Sequence, residues 1–374
     1  MIGVNVSLSA AIAASFFLMP AHARAQAAEP PLRVCIAGLV HGHIEGFLDA
    51  AEKRAEIRIV AIAEADTALA GSVRRRHHLD HVGWFKSLGE AIDATHPEAV
   101  AAFSSTFDHR TIVETCAKRG VSVMMEKPLA VNLEHALAIA RAAREGKINV
   151  LVNYETTWYP NTGELHTLAR AGKLGDIRKM VAHDGHQGPK EIGVGPEFLS
   201  WLTDPVLNGG GALMDFGCYG ANLFTYLMEN ARPLTVTAVT QRIKPDIYPR
   251  VDDEATIVVT YPRAQGIIQA SWNWPAGRKD LEVYGVSGSA VTVGRDRLKL
   301  RTGDGPEYEA TAPPVDPPNG DTISYLIAVV RGRLRPSGTS SLENNIVVSE
   351  ILDAARRSAE AGRTISLPVE PPAY

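Results

Sequence analysis

The chain of 374 residues is long enough for two domains and a large hydrophobic core. Its formal net charge of −4, from 38 basic and 42 acidic residues, argues against a nucleic-acid partner and against an anionic membrane surface. The three cysteines, Cys35, Cys116 and Cys218, form neither a disulfide framework nor a zinc spacing, and their apolar neighbours predict that they are buried.

The first 25 residues resemble a secretory signal peptide. An apolar stretch over residues 9–19 precedes two Ala-x-Ala sites that end at Ala23 and Ala25. It is too short and too interrupted by polar residues for a membrane span. Because no basic residue precedes it, a mis-assigned start codon is the alternative. The sequence therefore predicts a periplasmic or secreted protein, or a cytoplasmic one if the start is mis-assigned.

Residues 32–153 alternate between short apolar runs and amphipathic runs. This rhythm predicts a parallel sheet covered by helices on both faces, which is the doubly wound Rossmann arrangement of an α/β protein. The predicted strands are 32–37, 57–63, 99–103, 121–125 and 149–153, and the predicted helices are 42–54, 66–77, 109–119 and 133–144.

The rhythm changes after residue 153. Runs rich in Val, Ile and Thr, joined by short turns, predict an open, mainly antiparallel sheet, so residues 154–374 are expected to form a second, α+β domain. Its predicted strands are 177–183, 234–243, 255–261, 266–272, 280–284 and 290–293, and its predicted helices are 164–171, 212–228, 321–332 and 341–361.

The turn after the first strand is the place where a Rossmann domain holds the phosphates of a dinucleotide. A G-x-G-x-x-G pattern would place glycines at positions 38, 40 and 43, but two of these positions hold other residues, so the motif is weak. A shifted turn can compensate for this. The predicted cofactor contacts here are Gly38, Val40, His41, Gly42 and His43.

Glu64 ends the second predicted strand, 26 residues after Gly38. A carboxylate at this position accepts hydrogen bonds from the adenosine ribose and repels a 2′-phosphate, which favours NAD over NADP. The alternative is an ordinary acidic residue at a strand end.

Two motifs carry the predicted chemistry. Residues 209–219, GGGALMDFGCY, place Asp215 and Tyr219 four residues apart, on one face of a helix. A buried helix with a satisfied aspartate is the alternative for this stretch alone. The motif Glu126-Lys127-Pro128 favours a site, because a lysine at the end of a buried strand lines the crevice where such sheets bind ligands.

Together, EKP at 126–128, AEAD at 63–66 and GGGALMDFGCY at 209–219 resemble the Gfo/Idh/MocA family of nicotinamide-dependent oxidoreductases, most closely its glucose-fructose oxidoreductase branch. The resemblance covers residues 32 to about 368. It implies that Lys127 is the active-site lysine and Asp215 the active-site aspartate. Tyr219 stands where most members have histidine and where this branch has tyrosine.

The resemblance also implies a homo-oligomer, a dimer or a tetramer, formed through the outer face of the second sheet. It places residues 104–106 where the family often has Thr-Pro-Asn. Further predicted cofactor contacts are Ser104, Ser105, Thr106, His109, Glu126 and Lys127.

Oxidation of a sugar hydroxyl needs a base for the O–H proton while hydride leaves the same carbon. Tyr219 is predicted to take that proton, with its phenol made more acidic by the Lys127 ammonium. Lys127 would also stabilise the alkoxide, and Asp215 would orient the lysine and the sugar.

Polar and aromatic side chains near the start of the second domain suit a polyol. Two histidines three residues apart on a strand and turn do not face one site cleanly, so no metal is predicted. Trp201 is either a core residue or a sugar platform. The predicted substrate contacts are Tyr154, Trp158, His183, His186, Lys190 and Trp201.

The sequence thus predicts an NAD(P)-dependent oxidoreductase that acts on a sugar or sugar derivative, with NAD (or NADP) tightly bound. One alternative is a lyase, glycosidase or epimerase that uses tightly bound NAD with no net redox change. Another is a non-catalytic sugar-sensing protein, but retention of Lys127, Asp215 and Tyr219 argues against it.

Overall fold

A computed structural model describes residues 1–3 and 29–368 and builds two β-sheets with helices packed on them. Apart from residues 1–3, the predicted signal peptide lies outside the described residues. Among the residues that are described, no helix combines the length and the apolar character needed to cross a membrane. All three cysteines are buried and free, as predicted.

The first sheet has six parallel strands in the order β3-β2-β1-β4-β5-β6. Its strands are β1 Leu32–Ala37, β2 Ile57–Ala63, β3 Gly83–Phe85, β4 Ala99–Ala102, β5 Ser122–Glu126 and β6 Val150–Asn153. Its helices are α1 Ile44–Glu52, α2 Thr67–Arg76, α3 Leu88–Thr95, α4 His109–Ala117 and α5 Leu133–Gly146. The predicted doubly wound arrangement is confirmed. Strand β3 and helix α3 were not predicted from the sequence, because β3 is a three-residue edge strand without a buried apolar run.

Helices cover both faces of this sheet, because successive side chains of each strand point to opposite sides. In β1, Val34 and Ile36 pack against α1 and α2, whereas Cys35 faces the layer of α3, α4 and α5. Helix α10, Thr322–Val330, also packs on the first of these faces, where Leu326 is fully buried. The last part of the chain therefore returns to the first sheet.

The second sheet has nine strands in the order β14-β13-β12-β11-β7-β10-β9-β8-β15 and is mainly antiparallel, with one parallel pair, β7 and β10. Its strands are β7 Ile177–Gly185, β8 Thr235–Gln241, β9 Glu254–Thr260, β10 Gln265–Ser271, β11 Arg278–Gly285, β12 Gly288–Val293, β13 Arg297–Thr302, β14 Tyr308–Thr311 and β15 Ile365–Ser366. Its helices are α6 Pro160–Arg170, α7 Pro196–Leu202, α8 Ala212–Asp215, α9 Gly217–Leu227 and α11 Leu342–Ala361. One face packs against α9 and α11.

The predicted helix over 212–228 is wrong at one point, because the chain forms two helices that meet at Phe216. The carbonyl oxygen of Asp215 accepts a hydrogen bond from Nζ of Lys127 at 3.0 Å. The amide of Tyr219 donates instead to the carbonyl of Phe216 at 3.1 Å. The Lys127 side chain, which follows β5, thus takes a carbonyl that a continuous helix would use for its own hydrogen bonds.

Gly220 allows α9 to lie directly on the second sheet. A Cβ at this position would stand 2.7 Å from the side chain of Ile268 and 2.9 Å from that of Ala182. Both neighbours are fully buried in the sheet and cannot move aside freely.

We expect Gly220→Ala to destabilise the protein by roughly 1–3 kcal/mol, because overpacking forces the helix off the sheet. Gly163→Ala in α6 is the matched control, since no atom lies within 4 Å of its Cβ position. That substitution should stabilise the helix by roughly 0.5–1 kcal/mol. Urea unfolding of both variants checks the prediction, and equal midpoints would contradict it.

Candidate active site

A cavity of about 570 Å³ opens at the carboxyl ends of the parallel strands, where the strand order reverses between β1 and β4. Doubly wound sheets bind their ligands at this point. The cavity is lined by the three predicted catalytic residues, Lys127, Asp215 and Tyr219, and by His41, Gly42 and His43 of the loop after β1. A second, more open cavity of about 820 Å³ lies behind Gly209 and Gly210, and no predicted site residue lines it.

Lys127 and Asp215 form a buried ion pair that joins the end of β5 to α8. Nζ of Lys127 lies 2.5 Å from Oδ1 of Asp215, and the indole N–H of Trp272 donates to Oδ2 at 3.0 Å. Burial alone would lower the pKa of Lys127, but the Asp215 carboxylate outweighs it and raises the pKa. Burial likewise favours protonation of Asp215, but the ammonium holds its pKa below the ordinary value. Both groups are therefore charged at neutral pH.

Asp252 fixes the turn that presents Asp215. Its Oδ1 accepts the amide of Gly211 at 2.9 Å, and its Oδ2 accepts the amide of Leu213 at 2.7 Å. A Cβ on Gly211 would lie 1.8 Å from the carbonyl oxygen of Asp252, so only glycine fits there. The glycines of the motif thus serve close backbone packing beneath α8.

Tyr219 presents its ring to two ammonium groups. Nζ of Lys127 and Nζ of Lys279 each lie 5.2 Å from the ring centroid. Burial raises the pKa of the Tyr219 hydroxyl well above its ordinary value, and nearby negative groups add to this effect. The prediction that Lys127 makes the phenol more acidic is therefore wrong here, because burial and the nearby negative groups raise the pKa of Tyr219. At neutral pH the hydroxyl is a proton donor.

His186 and Lys279 complete the wall opposite the loop after β1. Nδ1 of His186 accepts the amide of Gly188 at 2.9 Å, so in the neutral ring Nε2 carries the proton. Burial lowers the pKa of His186, which keeps the ring neutral. Lys279, from β11, was missed by the sequence analysis because it stands in the charged run 278–280, which is typical of a solvated strand end.

Of the predicted aromatic substrate contacts, Tyr154 and Trp201 lie in the core, and Trp158 is half-buried against it. Tyr154 is fully buried and packs edge-on behind Tyr219, with 5.5 Å between ring centroids. Trp158 donates its indole N–H to a side-chain oxygen at the end of β6 at 2.9 Å. Trp201 is 4% exposed and donates to the carbonyl of Val40 at 3.2 Å. The expectation that these rings stack on a sugar is corrected, because none of them lines the cavity.

His183 and Lys190 also stand away from the cavity. His183 lies on the opposite side of β7 from the buried Asp184, where its nearest carboxylate, Glu282, is 3.9 Å away. Lys190 is exposed, and its backbone amide donates to Oη of Tyr248. Of the six predicted substrate contacts, His186 is the one that lines the cavity among the described residues.

The loop after β1 carries polar groups that fit a dinucleotide. Gly38 has φ +78°, and a Cβ there would come within 3.0 Å of Ser104, so the loop can pack tightly against the end of β4. Nδ1 of His41 accepts the amide of His43 at 3.2 Å, which leaves a proton on Nε2. That buried Nε2 lacks a hydrogen-bond partner among the described residues, as does Nε2 of His109. Such unmatched groups favour a bound polar ligand.

His43, whose side chain is 47% exposed, contacts the buried Glu126 beside the ion pair. Nδ1 of His43 lies 2.9 Å from Oε2 of Glu126, and the side-chain amide of Asn153 donates to Oε1 at 2.8 Å. The Glu126 carboxylate raises the pKa of His43. Burial favours the protonated acid, but His43 and His41 lower the pKa of Glu126 to about 2.

Ligand atoms of His41, His43 and Glu126 lie within 4.8 Å of one another, a spacing that a metal ion could use. However, Nδ1 of each histidine is already engaged, one with a backbone amide and one with Glu126. His41 and His43 therefore act as a hydrogen-bonded wall of the cavity, with Glu126 behind His43.

The remaining predicted cofactor contacts surround the end of β4. Ser104, Ser105 and Thr106 are buried, and Oγ of Ser105 donates to Asp108 at 2.6 Å. His109 is buried and donates from Nδ1 to the carbonyl of the proline that follows Lys127 at 3.1 Å. The contact of His109 connects the end of β4 with the residues that follow β5.

Glu64 holds the loop after β1 as well as the end of β2. Its Oε2 accepts the amide of Leu39 at 3.0 Å, and its Oε1 accepts the amide of Asp66 at 2.8 Å. Each carboxylate oxygen has a further lone pair, so both can still accept ribose hydroxyls.

The comparisons with known proteins agree with this fold. Residues 32–154 match the family model "Oxidoreductase family, NAD-binding Rossmann fold", and residues 163–291 match the "GFO/IDH/MocA C-terminal domain". The two matches together cover more than half of the chain, and the chain belongs to the Gfo/Idh/MocA oxidoreductase family.

Named relatives include dehydrogenases of diols, polyols and sugars. Trans-1,2-dihydrobenzene-1,2-diol dehydrogenase of Sus scrofa is 26% identical over 63% of this chain and 65% of its own length, slightly less than two thirds. Inositol 2-dehydrogenase of Rhizobium meliloti (strain 1021) is 22% identical over 84% of this chain and 92% of its own length. A levoglucosan dehydrogenase solved with NADH and levoglucosan superposes with a TM-score of 0.75 at 21% identity, covering 91% of this chain and all of that one. This last match shows the shared fold.

We expect Glu64→Ser to weaken NADH binding by about tenfold, because a charged acceptor for the ribose is lost, and to weaken NADPH binding less. Glu98→Ser is the control, since Glu98 also accepts a backbone amide, that of Arg33, but before β4 rather than at the carboxyl ends of the strands. Fluorescence titration with both reduced cofactors checks this. Equal affinity for both cofactors, unchanged by Glu64→Ser, would contradict the assignment.

Proposed function

We propose that this member of the Gfo/Idh/MocA family is an NAD(P)-dependent oxidoreductase that transfers hydride between a nicotinamide and a carbon of a sugar or polyol. The observation that carries the proposal is the buried Lys127–Asp215 pair beside Tyr219, at the carboxyl ends of β1, β4 and β5. The diol, inositol and levoglucosan dehydrogenases among the relatives support a polyhydroxylated substrate.

Each residue of the site has a distinct part in the proposed reaction. The nicotinamide, when bound, accepts or gives the hydride. Lys127 donates a hydrogen bond to the reacting oxygen and stabilises negative charge on it, while Asp215 holds the ammonium in place. Tyr219 donates a proton to the oxygen during reduction and receives it during oxidation. Because the pKa of Tyr219 is raised, its hydroxyl is protonated at neutral pH and can donate the proton directly.

We propose NAD as the preferred cofactor, because Glu64 would face a 2′-phosphate with a negative charge. We further propose that the cofactor is tightly held. Phe198 and Trp201 of α7 cover the loop after β1, with 4.7 Å between the rings of Phe198 and His41.

The tyrosine at position 219 supports our proposal that the protein belongs to the glucose-fructose oxidoreductase branch of the family.

A second candidate function follows from the same covered loop. An enzyme that retains its cofactor can oxidise a sugar transiently and return the hydride after elimination, hydrolysis or epimerisation, with no net redox change. A non-catalytic sugar-sensing role is the weakest candidate, because it gives no reason to bury the Lys127–Asp215 pair.

We expect Tyr219→Phe to lower turnover by roughly 10²–10⁴-fold while sugar and cofactor binding change little, because only the titrating hydroxyl is removed. Tyr226→Phe in the same helix is the control, since Tyr226 stacks on His166 outside the cavity. Near-full turnover of Tyr219→Phe on a confirmed substrate would overturn the mechanism.

The raised pKa of Tyr219 also predicts a pH dependence. A base must be deprotonated to act, so the oxidation rate should rise steadily from neutral to alkaline pH, below the raised pKa. The reduction rate should stay level over the same range, because the phenol remains protonated. Steady-state kinetics in both directions checks this, and a falling oxidation rate would contradict it.

We propose a homo-oligomer that forms through the open face of the second sheet. Val181, Ile267 and Val258 lie side by side on neighbouring strands, on the face away from α9 and α11. Ile267→Glu should shift the sedimentation coefficient to that of the monomer. Gln265→Glu, two residues earlier on the same face, should leave the assembly intact. A monomer already in the unmodified protein would contradict the proposal.

A further inference from the structure

The active-site cavity contains a second ammonium group that the proposed hydride transfer does not use. Lys279, from β11, lines the cavity, and its side chain is 23% exposed. Its Nζ lies 5.2 Å from the ring centroid of Tyr219 and 2.5 Å from Oε2 of Glu155. The ion pair with Glu155 fixes the ammonium beside the reacting position.

The acceptors around Tyr219 are already engaged by the protein. Three carboxylates act on Tyr219 electrostatically, and both oxygens of each receive a hydrogen bond or ion pair from another residue. The carboxylates are Asp215, paired with Lys127 and Trp272; Glu155, paired with Lys279 and Tyr159; and Glu126, paired with His43 and Asn153.

Donors, in contrast, remain available to a ligand. An ammonium has three N–H groups, and the side-chain contacts described for Nζ of Lys279 use one of them. Nε2–H of His186 and the hydroxyl of Tyr219 also belong to cavity-lining residues. Unused donors beside Tyr219 favour a ligand that offers acceptor oxygens to them. A carboxylate has about four acceptor positions and no donor.

We infer that Lys279 is a specificity-determining residue that binds the carboxylate of a sugar acid. The inference rests on the proposed function and names its substrate class: a polyhydroxylated carboxylate rather than a neutral sugar. A fixed ammonium next to Tyr219 would place the carboxylate at one end of the substrate and a hydroxyl-bearing carbon near Lys127.

The first test uses the unmodified protein and matched ligand pairs. Isothermal titration calorimetry would compare D-glucuronate with D-glucose, D-galacturonate with D-galactose, and D-gluconate with D-glucitol, each with and without added NADH. We expect at least one acid to bind about tenfold more tightly than its neutral partner, the gain typical of a charge-assisted hydrogen bond. Equal or tighter binding of the neutral member in every pair would overturn the inference.

The second test uses Lys279→Gln, with Lys279→Arg as the charge-conserving variant. Lys279→Gln should remove the preference for the acid, whereas Lys279→Arg should keep most of it. Lys244→Gln is the matched control: Nζ of Lys244 also lies 5.2 Å from a tyrosine ring, that of Tyr248, and 2.7 Å from a carboxylate, but outside the cavity. It should leave the preference unchanged.

NADH affinity, read from fluorescence, should be the same in all four proteins, which shows that the variants fold. An acid preference that survives in Lys279→Gln would refute the role of Lys279. Cofactor-dependent oxidation of neutral polyols without any acid preference would refute the inference and leave the proposed function intact. Failure to bind NADH would refute the proposed function, and the calorimetric pairs would still decide the inference.

Discussion

The buried ion pair between Lys127 and Asp215 is the interaction on which the rest of the site depends. Moving two charges out of water is costly, and a buried pair by itself is weak evidence for stability. Here the pair is also hydrogen-bonded by Trp272 and by the carbonyl of Asp215 itself. It links the end of β5 to α8, and it interrupts the helix that would otherwise continue through Phe216. Such an arrangement is retained more readily for chemistry than for stability.

In the loop after β1, two positions of the usual G-x-G-x-x-G pattern hold residues other than glycine, and contacts with other parts of the chain fix the loop instead. The carbonyl of Val40 accepts a hydrogen bond from the indole N–H of Trp201 in α7, and this bond fixes the loop after β1. His43 takes the position of the third glycine, and its ring contacts Glu126 at the end of β5. In the usual motif, glycines allow the backbone of this loop to adopt its conformation. Here side-chain contacts, one of them from α7, stabilise the loop.

Much of the fold followed from periodicity, because continuous apolar strands and a change of rhythm near residue 153 are strong signals. Lys127 and Asp215 were found for a different reason, since each lies in a motif next to a glycine or proline that constrains the backbone. Lys279 was not found, because a lysine within a charged run gives no sign of which way its strand faces. Tyr154 and Trp158 were misplaced, because sequence cannot tell an aromatic ring in a core from one in a cavity wall. The position of such a ring depends on which residues pack against it, and these residues are distant in the sequence.

Transfer of deuterium from substrate carbon to the nicotinamide would test the central claim most directly. Purified protein would be incubated with sugars and sugar acids deuterated at their hydroxyl-bearing carbons. It would then be denatured, and the mass of the released cofactor would be measured by mass spectrometry. The account predicts reduced NAD that carries the deuterium, and it predicts loss of that label when Lys127 is replaced by methionine. Substrate conversion with no deuterium ever reaching the cofactor would contradict it.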